Sequence, residues 1–351
     1  MTPRPSRQPR VLEVDLAFEA GERRQTVLQF TPSWAAASDL AAAVGGWRSD
    51  EETVRVSRLG EAHRWQVDHA PGRTVRLQYE VRADLADPDD GRAQDAAALY
   101  RAQLGRDWFQ FFGYAVLPTV RPHDDDSRLR LCLTLAQPDQ PDAPAFGSHG
   151  VGRGTVTMRV HGSPALFRHA WYAGGPAWRV TERTLPGGPL FTAVRGRFAF
   201  DDATLTDAAA RLIGVHRRFW GDADAPPQWL VLTPNFAPRN RSGTLVHQAA
   251  VLHAGPDFSP ADGGLDSLVG HENLHLWFPQ RFGAHRRVRQ PAEAVRDYWF
   301  SEGFTDYYSH RLLLESGLWD LPRYANELTR VLRRHWQSPA REAPVDAIGP
   351  R

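Results

Sequence analysis

The sequence predicts an α+β protein in which a β-rich, antiparallel β-sandwich-like domain over residues 11–200 precedes a mixed α/β domain over residues 201–351. Three observations lead to this prediction. The length of 351 residues exceeds one average domain and suits two. Apolar residues recur at every second position through much of the first part, and at residue 201 the period becomes that of a helix. Residues 1–10 are basic and proline-rich and are predicted as a disordered tail.

The strands of the first domain are predicted from alternation. The segment VLEVDLAF, which starts at Val11, and the segment TVRLQYEVRAD, which starts at Thr74, place an apolar side chain at every second position. LRLCLTLA, TVTMRV and FTAVRGRFAF continue the pattern, which is typical of strands with one buried face. The proline- and glycine-rich segment QPDQPDAPAFGSHGVGRG is predicted as a loop. Its GVGRG precedes a strand rather than a helix, so we do not expect a phosphate-binding loop.

The second domain is predicted to begin with a helix capped by Asp201 or Asp202. QWLVLTP then predicts a short buried strand, and GTLVHQAAVLHA predicts another. Three further helical patterns follow at roughly residues 263–278, 292–316 and 321–337. Pro279 ends the first of these and Gly317 ends the second.

Composition excludes several classes of protein. The formal net charge is +1, so no overall field attracts nucleic acid or an anionic membrane. The chain has a single cysteine, Cys132, which rules out an intrachain disulfide. No apolar run is long enough to span a bilayer, and no signal-peptide core follows the basic amino terminus. We therefore expect a cytoplasmic protein, or a periplasmic one if the true start lies upstream.

The segment HENLHLWF, residues 271–278, has the pattern of a metal site. On a helix, His271 and His275 are four residues apart and can reach one ion. Zinc accepts imidazole nitrogen, and a catalytic zinc has three protein ligands and an open fourth position. Glu272 is placed to take a proton from a water there. A purely structural role of the two histidines stays open, because a five-residue pattern also arises by chance.

The next helical segment, RDYWFSEGFTDYYSHRLLL, offers the third ligand. Glu302 is the candidate, and Asp306, one turn further on, can accept a hydrogen bond from the second nitrogen of a ligand histidine. The alternative is that both are solvated surface residues. We expect aromatic neighbours such as Trp299 and Phe304 to crowd around them, which disfavours that alternative.

Together, HENLHLW and YWFSEGFTDYY resemble the glycyl aminopeptidase family of gluzincin zinc metallopeptidases. The resemblance implies a β-rich amino-terminal domain, a thermolysin-like catalytic domain, one zinc ion and a peptide substrate. It also implies that His271, His275 and Glu302 are the zinc ligands and that Glu272 is the general base.

The sequence departs from the family in three places. In GTLVH, residues 243–247, Val246 replaces the glutamate expected to bind the substrate's amino terminus, although strand pairing of substrate at Gly243 and Thr244 is still expected. We expect the family's C-terminal helical domain, with its oxyanion-stabilising tyrosine, to be absent. FPQR after the metal motif keeps one basic position, Arg281, for substrate. Four other side chains could stabilise the oxyanion, although packing is the more common role for each: Tyr307, Tyr308, His247 and His310. The basic loop that follows could receive a substrate carboxylate, although a solvated loop is the more common role; its arginines are Arg286, Arg287 and Arg289.

Three functional hypotheses follow. The first is a zinc metallopeptidase, an aminopeptidase relative with altered recognition of the amino terminus. The second is a catalytically impaired zinc-binding relative that acts as a peptide- or protein-binding module. The third is a truncated piece of a longer enzyme.

Overall fold

The structure is a computed structural model that describes residues 1–7, 9–61, 63–83, 96–123, 127–235, 241–258, 264–278 and 291–344. The chain divides into two compact units. The first comprises Met1–Val180 with Asn235–Asn240, and the second comprises Thr181–Pro234 with Arg241–Arg351. Antiparallel sheets and helices are both present, so the predicted α+β class is confirmed.

The described part of the first unit is built almost wholly from strands. These are Thr2–Arg4 (β1), Val11–Glu19 (β2), Gln25–Gln29 (β3), Val44–Arg48 (β4), Arg55–Arg58 (β5), Arg64–Asp68 (β6), Thr74–Arg82 (β7), Gln103–Leu104 (β8), Phe109–Phe112 (β9), Thr119–Arg121 (β10), Leu129–Ala136 (β11), Pro144–Gly147 (β12), Gly150–Arg153 (β13), Thr155–Gly162 (β14) and Trp171–Gly174 (β15). Its helical pieces are a 3-10 turn at Leu40–Ala43 and the short helices Ala96–Leu99 (α1), Gly113–Val116 (α2) and Ala165–Arg168 (α3).

These strands form four sheets, with the orders β1-β2-β7-β4, β10-β3-β6-β5, β11-β14 and β13-β12-β15-β9-β8. The alternation read from the sequence corresponds to burial. In β7, Val75, Leu77 and Tyr79 are buried while the residues between them face outwards. The long pair β2 and β7 is antiparallel in register from Val11 to Glu19, as expected of strands with one face in the core.

Two segments of the first unit differ from prediction. The tail predicted at residues 1–10 includes β1, which pairs with β2, and the Met1 ammonium donates a hydrogen bond to the Thr134 carbonyl at 2.8 Å. The segment predicted as a loop contains the hairpin of β12 and β13. Main-chain pairing explains both differences, because it depends little on side chains and therefore leaves no alternation to read.

The second unit is a mixed sheet with helices. Its elements are Trp178–Leu185 (β16, whose first three residues belong to the first unit), Gly188–Arg195 (β17), Asp202–Trp220 (α4), Gln228–Pro234 (β18), Ser242–Val246 (β19), Ala249–Ala254 (β20), Gly264–Leu274 (α5), Pro291–Glu315 (α6) and Leu321–Gln337 (α7). The sheet order is β16-β17-β18-β20-β19. Strands β17, β18 and β20 are parallel to one another, and β19 runs antiparallel to β20.

Helix α4 begins where its sequence predicts, at a cap formed by Asp201. The Asp201 side chain accepts a hydrogen bond from the Thr204 amide at 2.7 Å and so caps the first turn. At the other end Gly221 adopts a left-handed conformation with φ of 70°, which is typical of a helix C-terminus. Arg217 and Arg218 lie in the last turn, where positive charge suits the helix dipole.

Two strand assignments need correction. GTLVHQAAVLHA, predicted as one strand, is a hairpin of β19 and β20 that turns at Gln248, whose φ is 55°. The segment FTAV, predicted to belong to the first domain, lies in β17 and pairs parallel with β18 of the second unit. Alternation indicates a strand but not its partner, and for this reason the predicted boundary at residue 200 lies beyond the division between the units at Val180.

One face of the second sheet packs on α4, α5 and α6. The buried apolar side chains of this core include Leu190, Leu205, Leu230, Leu252, Leu265, Val269 and Leu313. Helix α5 also packs against β19 and β20, so the core fixes the position of α5 beside the end of the sheet. None of the described helices combines the length and apolar character needed to cross a membrane.

Candidate metal centre

The two histidines of HENLHLWF lie at the end of α5. His271 is in its last turn and His275 follows directly after Leu274, where the helix ends. Leu265, Val269 and Leu274 are buried on the core side and thereby leave the two histidines on the side that meets α6. The i and i+4 spacing therefore places both rings together, with ring centroids 4.8 Å apart.

Helix α6 brings Glu302 to the same point. The Nε2 atoms of His271 and His275 are 3.1 Å apart, and Glu302 Oε2 lies 3.1 Å from the first and 3.5 Å from the second. Ligand atoms held about 2.0–2.1 Å from zinc at tetrahedral angles lie about 3.3 Å from one another. The triangle formed by His271, His275 and Glu302 therefore has the dimensions, and the N, N, O donor set, that fit a zinc ion.

The second nitrogen of each histidine has its own partner. His271 Nδ1 lies 2.8 Å from Asp306 Oδ1, and His275 Nδ1 lies 3.0 Å from the Phe278 carbonyl oxygen. Both partners are acceptors, so each Nδ1 donates a proton and each Nε2 is free to offer a lone pair at the shared point. A carboxylate or carbonyl behind a histidine is the usual arrangement around a metal ligand.

The charge around His271 favours a cation at this point. Burial lowers the pKa of His271, but hydrogen bonds to Asp306 and Glu302 outweigh burial and raise that pKa to about 10. In turn, burial raises the pKa of Glu302, but its hydrogen bonds with His271 and His275 lower it well below the usual range. The site thus stabilises positive charge between the three groups, whether a proton or a metal ion carries it.

Glu272 lies beside this triangle and is buried, with 8% of its surface exposed. Burial raises its pKa, and the charges of His275 and His271 partly offset that effect. A carboxylate with a raised pKa is better matched to accept a proton near neutral pH. Gly243 of β19 makes room for it, because a Cβ atom at Gly243 would lie 2.5 Å from Glu272 Cγ.

Strand β19 is an edge strand of its sheet among the described strands. Gly243 faces Glu272, and Leu245 packs on the helix side of the sheet. Side chains alternate along a strand, so Thr244 and Val246 lie on the opposite face. Of the predicted substrate-contacting residues, Gly243 is therefore next to the candidate base, whereas Thr244 could contribute there only through its backbone. Arg281 lies outside the described residues.

The aromatic residues of α6 do not enclose the carboxylates. Glu302 keeps 44% and Asp306 59% of their side-chain surface exposed, and Trp299 is itself 56% exposed. The expectation that aromatic side chains crowd these two residues is therefore wrong. Glu302 and Asp306 thus expose their carboxylates on the α6 side of the triangle, where a small molecule or peptide can approach them.

The side chains that could stabilise an oxyanion have neighbours other than the metal triangle. Tyr308 packs against Phe219 and Trp220. His310 stacks on Trp319 with ring centroids 5.2 Å apart, and burial lowers its pKa. Tyr307 is half exposed, and His247 follows β19 at the hairpin turn. The basic loop residues Arg286, Arg287 and Arg289 lie outside the described residues.

Sequence reasoning missed the polar contacts that hold α5 from its other side. The Asn273 amide donates a hydrogen bond to His216 Nδ1 at 2.9 Å, and the Trp277 indole donates one to Asp222. His216 is fully buried. The signal available in the sequence was an asparagine inside the metal motif, a residue that rarely lies on a buried helix face without a partner.

Comparisons with known proteins find one family match in sequence and several similar folds. The family model described as M61 glycyl aminopeptidase matches residues 265–345. No curated protein gives a significant match. An aminopeptidase N family protein from Idiomarina loihiensis is similar in structure, with a TM-score of 0.70 and 17% identity over 90% of this chain and 54% of that chain. An M1 zinc metallopeptidase from Deinococcus radiodurans gives a TM-score of 0.51 and 15% identity over 96% of this chain and 72% of that chain.

These structural similarities, at such low identity, bear on the fold alone. The chain spans 54% of the length of the Idiomarina protein. The family match adds sequence similarity in the segment that contains His271, His275 and Glu302. The resemblance to the gluzincin glycyl aminopeptidases carried by the two sequence motifs is therefore confirmed, with residues 265–345 as the segment that matches the family.

Proposed function

We propose that this chain is a zinc-dependent metallopeptidase that hydrolyses peptide bonds at the centre formed by His271, His275 and Glu302. One observation carries the proposal: the three ligand atoms lie 3.1, 3.1 and 3.5 Å apart, beside a buried glutamate. The M61 family match over the same segment supports a peptidase.

The residues divide into two roles. His271, His275 and Glu302 would hold the ion, and Asp306 would orient His271 by accepting its Nδ1 proton. Zinc, when bound by such a set, polarises a carbonyl oxygen and makes water more acidic. Glu272 would take the proton from the attacking water at its carboxylate and then deliver that proton to the departing amine.

Peptide binding is proposed at the edge strand β19. An extended peptide can add to β19 through main-chain hydrogen bonds, which require no particular side chain. Gly243 brings this strand within contact of Glu272, so a peptide paired there would pass the candidate base. Arg281, if it reaches the site, would pair with a substrate carboxylate.

The second candidate function is a zinc-binding relative that binds peptides or proteins without cutting them. Val246 favours this candidate, because it replaces the glutamate expected to hold a substrate ammonium group and is buried on the sheet face opposite Glu272. A valine cannot pair with an ammonium ion. For the same reason, the peptidase of the first proposal would recognise the amino terminus differently from its relatives or would not require one.

The test combines elemental analysis of zinc in the purified protein with hydrolysis of a mixed peptide library by the same sample. We expect about one zinc per chain and cleavage, and the cleaved positions report whether a free amino terminus is needed. Zinc without cleavage would favour the binding function. If the protein takes up no zinc even after reconstitution, both candidates are wrong.

The matched variant is Glu272→Gln, which removes the base and keeps the shape of the side chain. Because general bases typically contribute about 10²–10⁴-fold to rate, we expect a loss of that size in turnover with unchanged zinc content. Glu315→Gln, at an exposed position near the end of α6, is the control and should leave both unchanged. Full activity in Glu272→Gln would remove Glu272 from the mechanism.

A further inference from the structure

Helix α6 presents a third side chain to the metal centre, between the two acidic ones. Thr305 is fully buried, and its hydroxyl oxygen lies 3.4 Å from His275 Nδ1 and 3.5 Å from the Phe278 carbonyl oxygen. Glu302, Thr305 and Asp306 follow the i, i+3, i+4 spacing and so share one helix face. Each histidine therefore has a partner from α6 at its second nitrogen, Asp306 for His271 and Thr305 for His275.

The hydroxyl proton of Thr305 is donated within its own helix. Its oxygen lies 2.6 Å from the Ser301 carbonyl oxygen, the shortest of its contacts, so the proton points there. A hydroxyl has one proton and two lone pairs, which leaves lone pairs facing His275. Thr305 can therefore only accept from His275 Nδ1, and it does so together with the Phe278 carbonyl, which is closer at 3.0 Å.

We propose that Thr305 is a positioning residue for His275. Its hydroxyl oxygen shares the Nδ1 proton with the Phe278 carbonyl, keeps Nε2 unprotonated and holds the ring towards His271 and Glu302. This inference rests on the proposed metal centre. The hydroxyl of Thr305 contacts His275, Phe278 and Ser301, so it acts through the orientation and the tautomer of His275.

A simpler role for Thr305 is structural, since threonines inside helices commonly bond to the carbonyl four residues earlier. Two hydroxyl deletions separate the roles. Thr305→Val removes the hydroxyl from the wild type at nearly constant shape. Thr305→Ser keeps the hydroxyl and lacks only the methyl group. Thr305→Ala lacks both, so the difference between these two variants is the hydroxyl alone. If the valine variant does not fold, the serine and alanine pair still makes the comparison.

Two measurements are made on the full chain. The first is zinc affinity by competition with a chelator. Loss of a partner behind a ligand histidine typically weakens affinity about 10–100-fold. Because Thr305 shares its role with Phe278, we expect about 10-fold for each deletion and near wild-type affinity for Thr305→Ser. The second is the tautomer of His275 in metal-free protein, read from long-range ¹⁵N–¹H correlations, where each deletion should raise the share of the Nε2–H form.

The outcomes separate this inference from the proposed function. If the wild type binds zinc and all variants bind it equally, with the same His275 tautomer, the role of Thr305 is overturned while the metal centre stands. A purely structural role would lower the unfolding temperature of the deletion variants and leave the tautomer unchanged, which also overturns the inference. No zinc binding by the wild type would overturn the metal centre and this inference together.

Discussion

Two pairs of histidines within the second unit have opposite surroundings. His271 and His275 lie between α5 and α6 among carboxylates, whereas His216 and His253 are fully buried and have neutral hydrogen-bond partners. Their polar partners are the Asn273 amide for His216 and the Thr233 hydroxyl for His253. The residue type is the same, so the difference must come from the neighbours.

The pKa values follow those neighbours. Burial lowers the pKa of His216 to about 3, and burial with the nearby positive charge of Arg195 lowers that of His253 to about 3. Burial also acts on His271, but the carboxylates of Asp306 and Glu302 reverse its effect and raise the pKa to about 10. A partly buried histidine thus becomes a site for a cation only where acidic side chains converge on it.

The comparison also bears on why the candidate metal ligands His271 and His275 lie at a helix junction. Three carboxylates, those of Glu272, Glu302 and Asp306, would repel one another without a cation. A divalent ion would compensate two of these charges and so stabilise the cluster. The buried pair needs no such compensation and can therefore lie inside the sheet and the helix packing of the unit.

The largest expected effect comes from removing a carboxylate of the cluster. Glu302→Gln deletes a charged ligand but keeps the length of the side chain. Loss of a partner behind a ligand costs about 10–100-fold in affinity, so loss of a ligand itself should exceed about 100-fold. Zinc affinity measured by chelator competition checks this expectation, with exposed Glu315→Gln as the control. Unchanged affinity in Glu302→Gln would show that the carboxylate does not bind the ion.

The next effect comes from the acceptor behind His271. Asp306→Asn keeps the shape and removes the charge, so His271 Nδ1 loses its anionic acceptor. We expect zinc affinity to fall about 10–100-fold. Asp257→Asn, at an exposed position in the same unit, serves as the control. Equal affinity in Asp306→Asn and wild type would mean that this contact does not support the metal centre and would weaken the contrast with the buried pair.

Much of the metal centre could be predicted from sequence because helices convert spacing into geometry. On a helix, the spacing of His271 and His275 places both rings on one face, and the resemblance carried by the two motifs implied Glu302 as their partner. The Phe278 carbonyl could not be predicted, since a main-chain acceptor leaves no trace in residue identity. The proposed role of Thr305 could not be predicted either, because it depends on the register between α5 and α6.

The fold was predictable to a similar depth. The pattern of apolar residues in the sequence identified β2, β7 and β18, and the capping residue identified the start of α4 at Asp201. The hairpin at Gln248 was missed because an apolar residue occurs on both sides of a turn that lacks glycine and proline. The assignment of FTAV to the wrong domain has a different cause, since alternation reports a buried face and not the neighbouring strand.

The smallest expected effect tests the buried pair by pH. The pKa of His253 is about 3 in the folded chain and about 6.5 when unfolded. Between these values the unfolded state binds more protons, so stability is fully present above about pH 6.5 and is lost as pH falls towards 3. One such group contributes up to about 1.4 kcal/mol per pH unit to the slope, and His216 adds to it in the same sense.

The measurement is urea unfolding of metal-free protein between about pH 4.5 and 6.5, above the range in which most carboxylates titrate. His253→Asn keeps a polar partner for Thr233 but cannot be protonated, so its stability should depend less steeply on pH than that of the wild type. His335→Asn, at an exposed position on α7, should keep the full slope. If His253→Asn and the wild type lose stability in parallel, His253 is not held neutral, and the contrast drawn between the two pairs of histidines would not hold.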